Sequence, residues 1–289
     1  MSSKPVHRKL GLALGGGGAR GLAHIGVIKV LEKAGIQIAF LAGSSMGGLV
    51  GALYAAGCSA DELEGEILSR TSFRQLIKLV DLAPPRRGLM VGQRIRDQLS
   101  ELFTPELAFD QLRIPLALTA VDLCTAQEVI LCKGPVIEAI LATISVPGLL
   151  PPVLIEDCQL VDGGVLNNVP ADVARSGEVE VVAAVDVNPT LPLNPHEATD
   201  DREKIWPSIF PHFAQDFYTA ELIMVNALTR SRLAQSPPDL LLKPPIPAGI
   251  SIFWGLTRAR EAIAAGEEAA LQALPELEKL LIFQGGDFG

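Results

Sequence analysis

Cysteine, histidine and aromatic side chains are all scarce in this chain of 289 residues. The four cysteines (Cys58, Cys124, Cys132 and Cys158) form no C-x-x-C pair and have no metal-ligand spacing with the four histidines. A disulfide framework and a zinc site therefore have nothing to rest on, and four buried, reduced thiols are the expectation. Basic residues are also outnumbered: Lys and Arg total 24 against 33 Asp and Glu, a net charge of −9. That balance lacks the broad basic footprint of a nucleic-acid binder and gives no strong attraction to anionic lipid. No repeat of fixed period and no low-complexity tail is visible. What the chain has in quantity is apolar residues, 48% against 20% charged, enough for a large core. Its length suits one α/β unit or two smaller ones.

Two stretches imitate membrane signals. Lys4, Arg8 and Lys9 precede LGLALGGGGA, which has the outline of a signal peptide. The run turns to glycine after Leu14 and meets Arg20, so a strand feeding a glycine loop explains it better. Ala34–Ala60 has 27 residues without a charge, long enough to span a bilayer. Its centre is GSSMGG, so it reads as a buried strand, a tight turn and a buried helix. The expectation is a soluble, cytoplasmic protein with room for peripheral membrane contact.

Along the chain, Lys9–Leu14 reads as a strand, Gly15–Gly18 as a loop and Arg20–Lys33 as a helix with a broad apolar face. Ile36–Ala42 reads as a strand buried on both faces, and Met46–Ala56 as a second helix. The result is a β-loop-α-β-turn-α unit with a parallel sheet. Ser59–Arg113 looks mainly helical, broken by Pro-Pro-Arg-Arg-Gly at 84–88. Ile114–Val121 and Glu128–Cys132 look like strands, Gly134–Ile144 like a helix, Val153–Val161 like one extended segment, and Val179–Val187 like a strand. Beyond that lie a proline-spaced loop at 189–195, a charge run at 200–204, an aromatic-rich segment at 206–218, a proline-rich connector at 237–247 and a terminal helix over 258–281.

Three constellations could carry chemistry. Gly16–Gly21 matches G-x-G-x-x-G after a strand, the dinucleotide-binding context. That reading needs an acid about twenty residues on for the ribose, and none occurs between Glu32 and Asp61. What remains is a set of backbone N–H groups suited to an anion or an oxyanion, or a plain packing turn. Gly43-Ser44-Ser45-Met46-Gly47 is a G-x-S-x-G at a strand-to-helix turn. A nucleophile at such a tip needs small residues two before and two after it, which favours Ser45 over Ser44. Gly47, Gly48 and Gly51 each cost about 1 kcal/mol of helix propensity, which close approach of this helix to a neighbour would explain. Asp162-Gly163-Gly164 is the third, and alone it is most simply a turn. Candidate bases for the serine also include His7, His24, His196 and His212, with His24 better read as a satisfied core residue.

The runs GLALGGGGARGLAHIGVIKVLEKAGI, GSSMGGLVGALYAAG and VDGGVLNNVP together resemble the patatin-like phospholipase family. The bacterial branch similar to the catalytic domain of neuropathy target esterase is the nearest in pattern. TAVDLCTAQEVIL and ATISVPGLLPPV resemble the family's central region, with Ala126 where glycine is common. The resemblance covers 9–175 as one domain and leaves 176–289 as a C-terminal section packed on it. It implies a three-layer α/β/α sandwich with a mainly parallel central sheet, and a lipid acyl hydrolase without metal or cofactor. Ser45 would be the nucleophile, Asp162 the proton acceptor, and Gly16, Gly17 and Gly18 the oxyanion donors. Gly43, Gly47, Gly163 and Gly164 would support them, and Arg20 would anchor the loop or meet a phosphate. The alternatives are an α/β-hydrolase triad of Ser45, Asp162 and His196 or His212, and a non-catalytic lipid-binding regulator. Trp206, Phe210, Phe213 and Phe217 recur at helical spacing, as core packing or as a lid where lipid enters.

Overall fold

The computed structural model describes residues 6–70, 88, 90–189, 212–247, 249–250 and 255–283. Its strands are β1 (Val6–His7), β2 (Leu10–Leu14), β3 (Ile38–Gly43), β4 (Leu116–Asp122), β5 (Gln127–Leu131), β6 (Val153–Ile155), β7 (Cys158–Asp162), β8 (Val181–Val185), β9 (Leu240–Leu242) and β10 (Ile282–Phe283). The helices are α1 (Ala23–Lys33), α2 (Ser45–Ala55), α3 (Ala60–Arg70), α4 (Gln93–Leu102), α5 (Val136–Thr143), α6 (Ala171–Ser176), α7 (His212–Gln235) and α8 (Ala259–Leu281).

An eight-stranded sheet runs in the order β6-β7-β4-β3-β2-β8-β9, with β5 paired to β4. β4, β3, β2, β8 and β9 are mutually parallel, whereas β5, β6 and β7 add antiparallel pairings at one side. The central strand β2 shows why the sequence builds layers. Its Leu10, Leu12 and Leu14 are fully buried in the larger core, against residues of α1, α2 and α8. Each such leucine contributes about 2 kcal/mol relative to exposure. Ala13, between them, faces a second core with Val173 and Ala174 of α6 and Leu233 of α7. Helices thus cover both faces of the sheet, and α1 and α8 pack closely at Gly26 and Gly266. A Cβ on Gly26 would meet backbone of Ile263 and Glu267.

Several expectations change in detail. The first helix begins with a 3-10 turn over Gly18–Leu22, and α1 proper starts at Ala23. Gly18 leaves the loop at φ +55°, so the chain tightens before it relaxes into α geometry. The single extended segment at 153–161 is a hairpin, β6 and β7 around Glu156, which itself sits at φ +52°. The proline-rich connector at 237–247 contains β9, paired in parallel to β8. The thiols are free, but only partly hidden: Cys124, in the β4–β5 turn, and Cys132, just past β5, are exposed. The uncharged run at 34–60 is β3 and α2, and among the described residues no helix is long and apolar enough to cross a membrane. The charge run at 200–204 lies outside the described residues.

Candidate active site

The strands β2, β3 and β8 leave their C-terminal ends side by side, and the sheet order reverses here: β3 and β4 extend from β2 one way, β8 and β9 the other. A crevice at such a switch point is where open α/β sheets place ligands. Here the glycine loop follows β2, Ser45 follows β3 and Asp162 ends β7.

Ser45 stands at φ +52°, in the left-handed region that costs a side chain about 1–2 kcal/mol. Crowding around it explains the flanking glycines. A Cβ on Gly43 would lie 2.5 Å from the Gly48 Cα, and one on Gly47 would collide with the carbonyls of Leu14 and Gly15. The turn is locked by two bonds: Ser44 N–H donates to Leu14 O at 3.1 Å, and Ser45 N–H to Thr143 Oγ1 at 2.9 Å. The Ser45 Oγ donates to Asp162 Oδ2 at 2.6 Å, whereas the buried Ser44 Oγ has no partner among the described residues.

Asp162 is 5% exposed. Its other oxygen, Oδ1, accepts from the Gly164 N–H at 2.7 Å, which fixes the carboxylate plane. Gly163 packs so tightly on Thr119 that a side chain there would overlap it. Burial pushes the Asp162 carboxyl from 3.8 up to about 7, against the lowering effect of its bonds from Ser45 and Gly164, and the charge of Glu221 adds to the rise. A carboxyl poised near neutrality, bonded to a serine hydroxyl, is the arrangement a general base requires.

The three loop glycines separate. The Gly16 N–H donates to Asn168 O at 2.9 Å, so to serve as an oxyanion donor it would have to give up that bond. Gly17 and Gly18 line the cleft with Ser45 and Asp162, and no acceptor among the described residues takes their N–H groups. Arg20 lies at the loop's far end, where its Nε donates to Val187 O at 2.6 Å and its Nη1 to Ile250 O at 3.1 Å.

Of the histidines, only His24 has a described side chain. It is fully buried, and its Nε2 lies 2.7 Å from Gly15 O, so that nitrogen carries the hydrogen. Its Nδ1 has no partner among the described residues, so the expected satisfied core histidine is satisfied on one side only. Burial lowers its pKa to about 4. The ring is neutral and supports the glycine loop; its bond is to Gly15, not to Ser45. His196 and the side chains of His7 and His212 lie outside the described residues.

Two residues at the site stand outside the expected set: Asn168, inside the VDGGVLNNVP run, and Glu221, in no motif at all. Asn168 holds the loop with both ends: besides accepting from Gly16 N–H, its Nδ2 donates to Gly16 O at 3.2 Å. Its side chain fills the gap between Gly16 and Gly164, since a Cβ on either would lie 2.5 Å or 2.7 Å from its Oδ1. It thereby locks the glycine loop to the Asp162 turn. Glu221, on α7, reaches the cleft from a part of the chain that shows no motif. Arg232 ties α7 down through Asp172 Oδ2 at 2.8 Å and Glu128 Oε2 at 2.6 Å.

Of the aromatic segment, Trp206, Phe210 and the side chains of Phe213 and Tyr218 lie outside the described residues. Phe217 is on α7 and 71% exposed, so at this position the stripe does not pack in the core.

Fold and site define an α/β protein with a serine–aspartate pair and a glycine loop at the C-terminal edge of its sheet. The patatin-like phospholipase profile matches residues 12–175, and the chain belongs to that family. An uncharacterised NTE family protein of Mycobacterium tuberculosis is 37% identical over 187 residues, 65% of this chain and 50% of that protein. The patatin-like phospholipase domain-containing protein 6 of Mus musculus is 32% identical over 182 residues, 62% of this chain and 13% of that one. The chain thus spans half or less of the length of these relatives. Among solved structures, VipD from Legionella pneumophila aligns with a TM-score of 0.49 at 13% identity, over 95% of this chain and 68% of the other.

Proposed function

We propose that this chain is a serine lipid acyl hydrolase working through a Ser45–Asp162 dyad. The observation that carries the reading is the 2.6 Å bond from the Ser45 Oγ, held at positive φ, to a buried Asp162. Asp162 Oδ2 takes the hydroxyl proton as Ser45 Oγ attacks the acyl carbonyl. The N–H groups of Gly17 and Gly18 stabilise the tetrahedral oxyanion, where one donor is worth about 2.7–4 kcal/mol. The ester C–O bond then breaks, and Asp162 gives its proton to the departing alcohol. Water attacks the acyl-serine, loses a proton to the same carboxylate, and the fatty acid leaves as Ser45 regains its hydrogen. Arg20 anchors the loop in this scheme, and Asn168 keeps it in register with Asp162.

We place contact with aggregated lipid on α7. One face of this helix lines the cleft through Leu222 and Val225. The same helix exposes Phe217, one turn before Glu221, together with Ile223 (53%) and Met224 (62%). Apolar side chains exposed beside an acyl-ester site suit the boundary between water and acyl chains.

The test is hydrolysis of lysophospholipids, diacyl phospholipids and short 4-nitrophenyl esters by the chain and by Ser45→Ala. Acyl release that falls by about a thousandfold or more in the variant is expected. Release that survives Ser45→Ala overturns the dyad.

A further inference from the structure

Glu221 introduces a charge into the cleft that the acyl-transfer scheme does not use. Its side chain lines the same cleft as Ser45 and Asp162, from the face of α7 that also presents Leu222 and Val225. The other lining residues are glycines, apolar side chains and the neutral amides of Asn168 and Asn188. No lysine or arginine among the described residues lines the cleft, so the two carboxylates face no cation there. Their situations differ. Asp162 accepts two hydrogen bonds from the chain. Glu221 is half-buried and has neither a hydrogen-bond nor an ion-pair partner among the described residues.

A partly desolvated, unpartnered carboxylate is a selective element. An anionic group brought beside it meets repulsion strengthened by the reduced local dielectric, whereas an ammonium group supplies the missing partner. In an acyl ester bound for attack by Ser45, the alcohol portion is the part whose charge varies among lipids.

We propose that Glu221 is a specificity-determining residue that sorts esters by the charge of their alcohol portion, favouring cationic and neutral ones over anionic ones. This rests on the hydrolase reading and adds the substrate class to it. Burial also holds the Glu221 carboxyl above its ordinary range, and its charge contributes to the raised Asp162 carboxyl, both in keeping with a carboxylate close to the reacting serine.

The experiment measures kcat/KM for esters sharing one acyl chain: a choline ester, a glycerol ester, a lysophosphocholine and a lysophosphoglycerol. Wild type, Glu221→Gln and Glu221→Lys are compared. The ratio of the anionic to the neutral ester should rise about tenfold in Glu221→Gln and further in Glu221→Lys, while the cationic-to-neutral ratio falls. A purely structural role would depress all four substrates together and leave the ratios alone. A second measurement needs no variant: raising the ionic strength should increase wild-type kcat/KM for the anionic ester and lower it for the cationic one. Unchanged ratios in both variants, or a wild type that prefers the anionic ester, overturn the inference alone. Absence of turnover on all four esters overturns the hydrolase reading and the inference with it.

Discussion

Asp162→Asn should make the protein more stable, and only on one side of the pH scale. Burial raises this carboxyl from 3.8 to about 7, so between those values the folded chain binds a proton that the unfolded chain has released. Stability therefore falls as pH climbs through that window and levels off above it. Each pKa unit corresponds to about 1.36 kcal/mol, so ionising Asp162 in place costs about 4 kcal/mol above neutrality. Asparagine keeps an oxygen for the Gly164 N–H and never ionises. Its stability relative to wild type should therefore be about 4 kcal/mol better at about pH 8 than at about pH 4, although the variant's rate collapses. For a chain of this size, that corresponds to roughly 8–16 °C in melting temperature. Urea unfolding of both proteins across the window reads the difference directly. In the same window, wild-type kcat/KM should rise with pH and level off above about 7, because only the ionised carboxylate accepts the serine proton. An advantage that is flat with pH, or that grows toward acid, refutes the reasoning.

Three other substitutions probe separate parts of the account. Asn168→Ala removes the side-chain hold on Gly16, and kcat should fall about a hundredfold with KM little changed, in steady-state assays on a soluble ester. Ala126 sits at φ +55° in the β4–β5 turn, so Ala126→Gly should add about 1 kcal/mol to unfolding stability with activity untouched. Phe217→Ala with Met224→Ala should weaken vesicle binding and hydrolysis of aggregated lipid while sparing short soluble esters, and equal loss on both would move the α7 face into a structural role.

The legible parts of the molecule are those where one local constraint dominates. β2, β3 and α2 follow from apolar runs broken by glycine, and the Ser45 turn follows from the two glycines that its geometry demands. Asp162 is different: D-G-G alone says only that the chain turns, and the resemblance to a family, not spacing, pointed to its role. The roles of Asn168, inside a quoted run, and of Glu221, in none, are not legible because tertiary packing, not sequence distance, brings them to the cleft. Glu221 lies 176 positions downstream of Ser45, on a helix whose apolar residues are spread around its circumference and so show little periodicity. β9 is not legible because Leu240–Leu242 is three residues long between prolines, and only pairing with β8 makes it a strand. The exposed Cys124 and Cys132 sit where a hairpin turns and where its outer strand ends, a placement that composition does not encode.

The central claim is that Asp162 activates Ser45 as a nucleophile. Reaction with a fluorophosphonate, followed by mass spectrometry of the digested chain, tests it most directly. The account predicts one adduct per chain, on Ser45, absent from Ser45→Ala and strongly slowed in Asp162→Asn. An adduct on another residue, or labelling of Ser45 at the same rate without the Asp162 carboxylate, would contradict it.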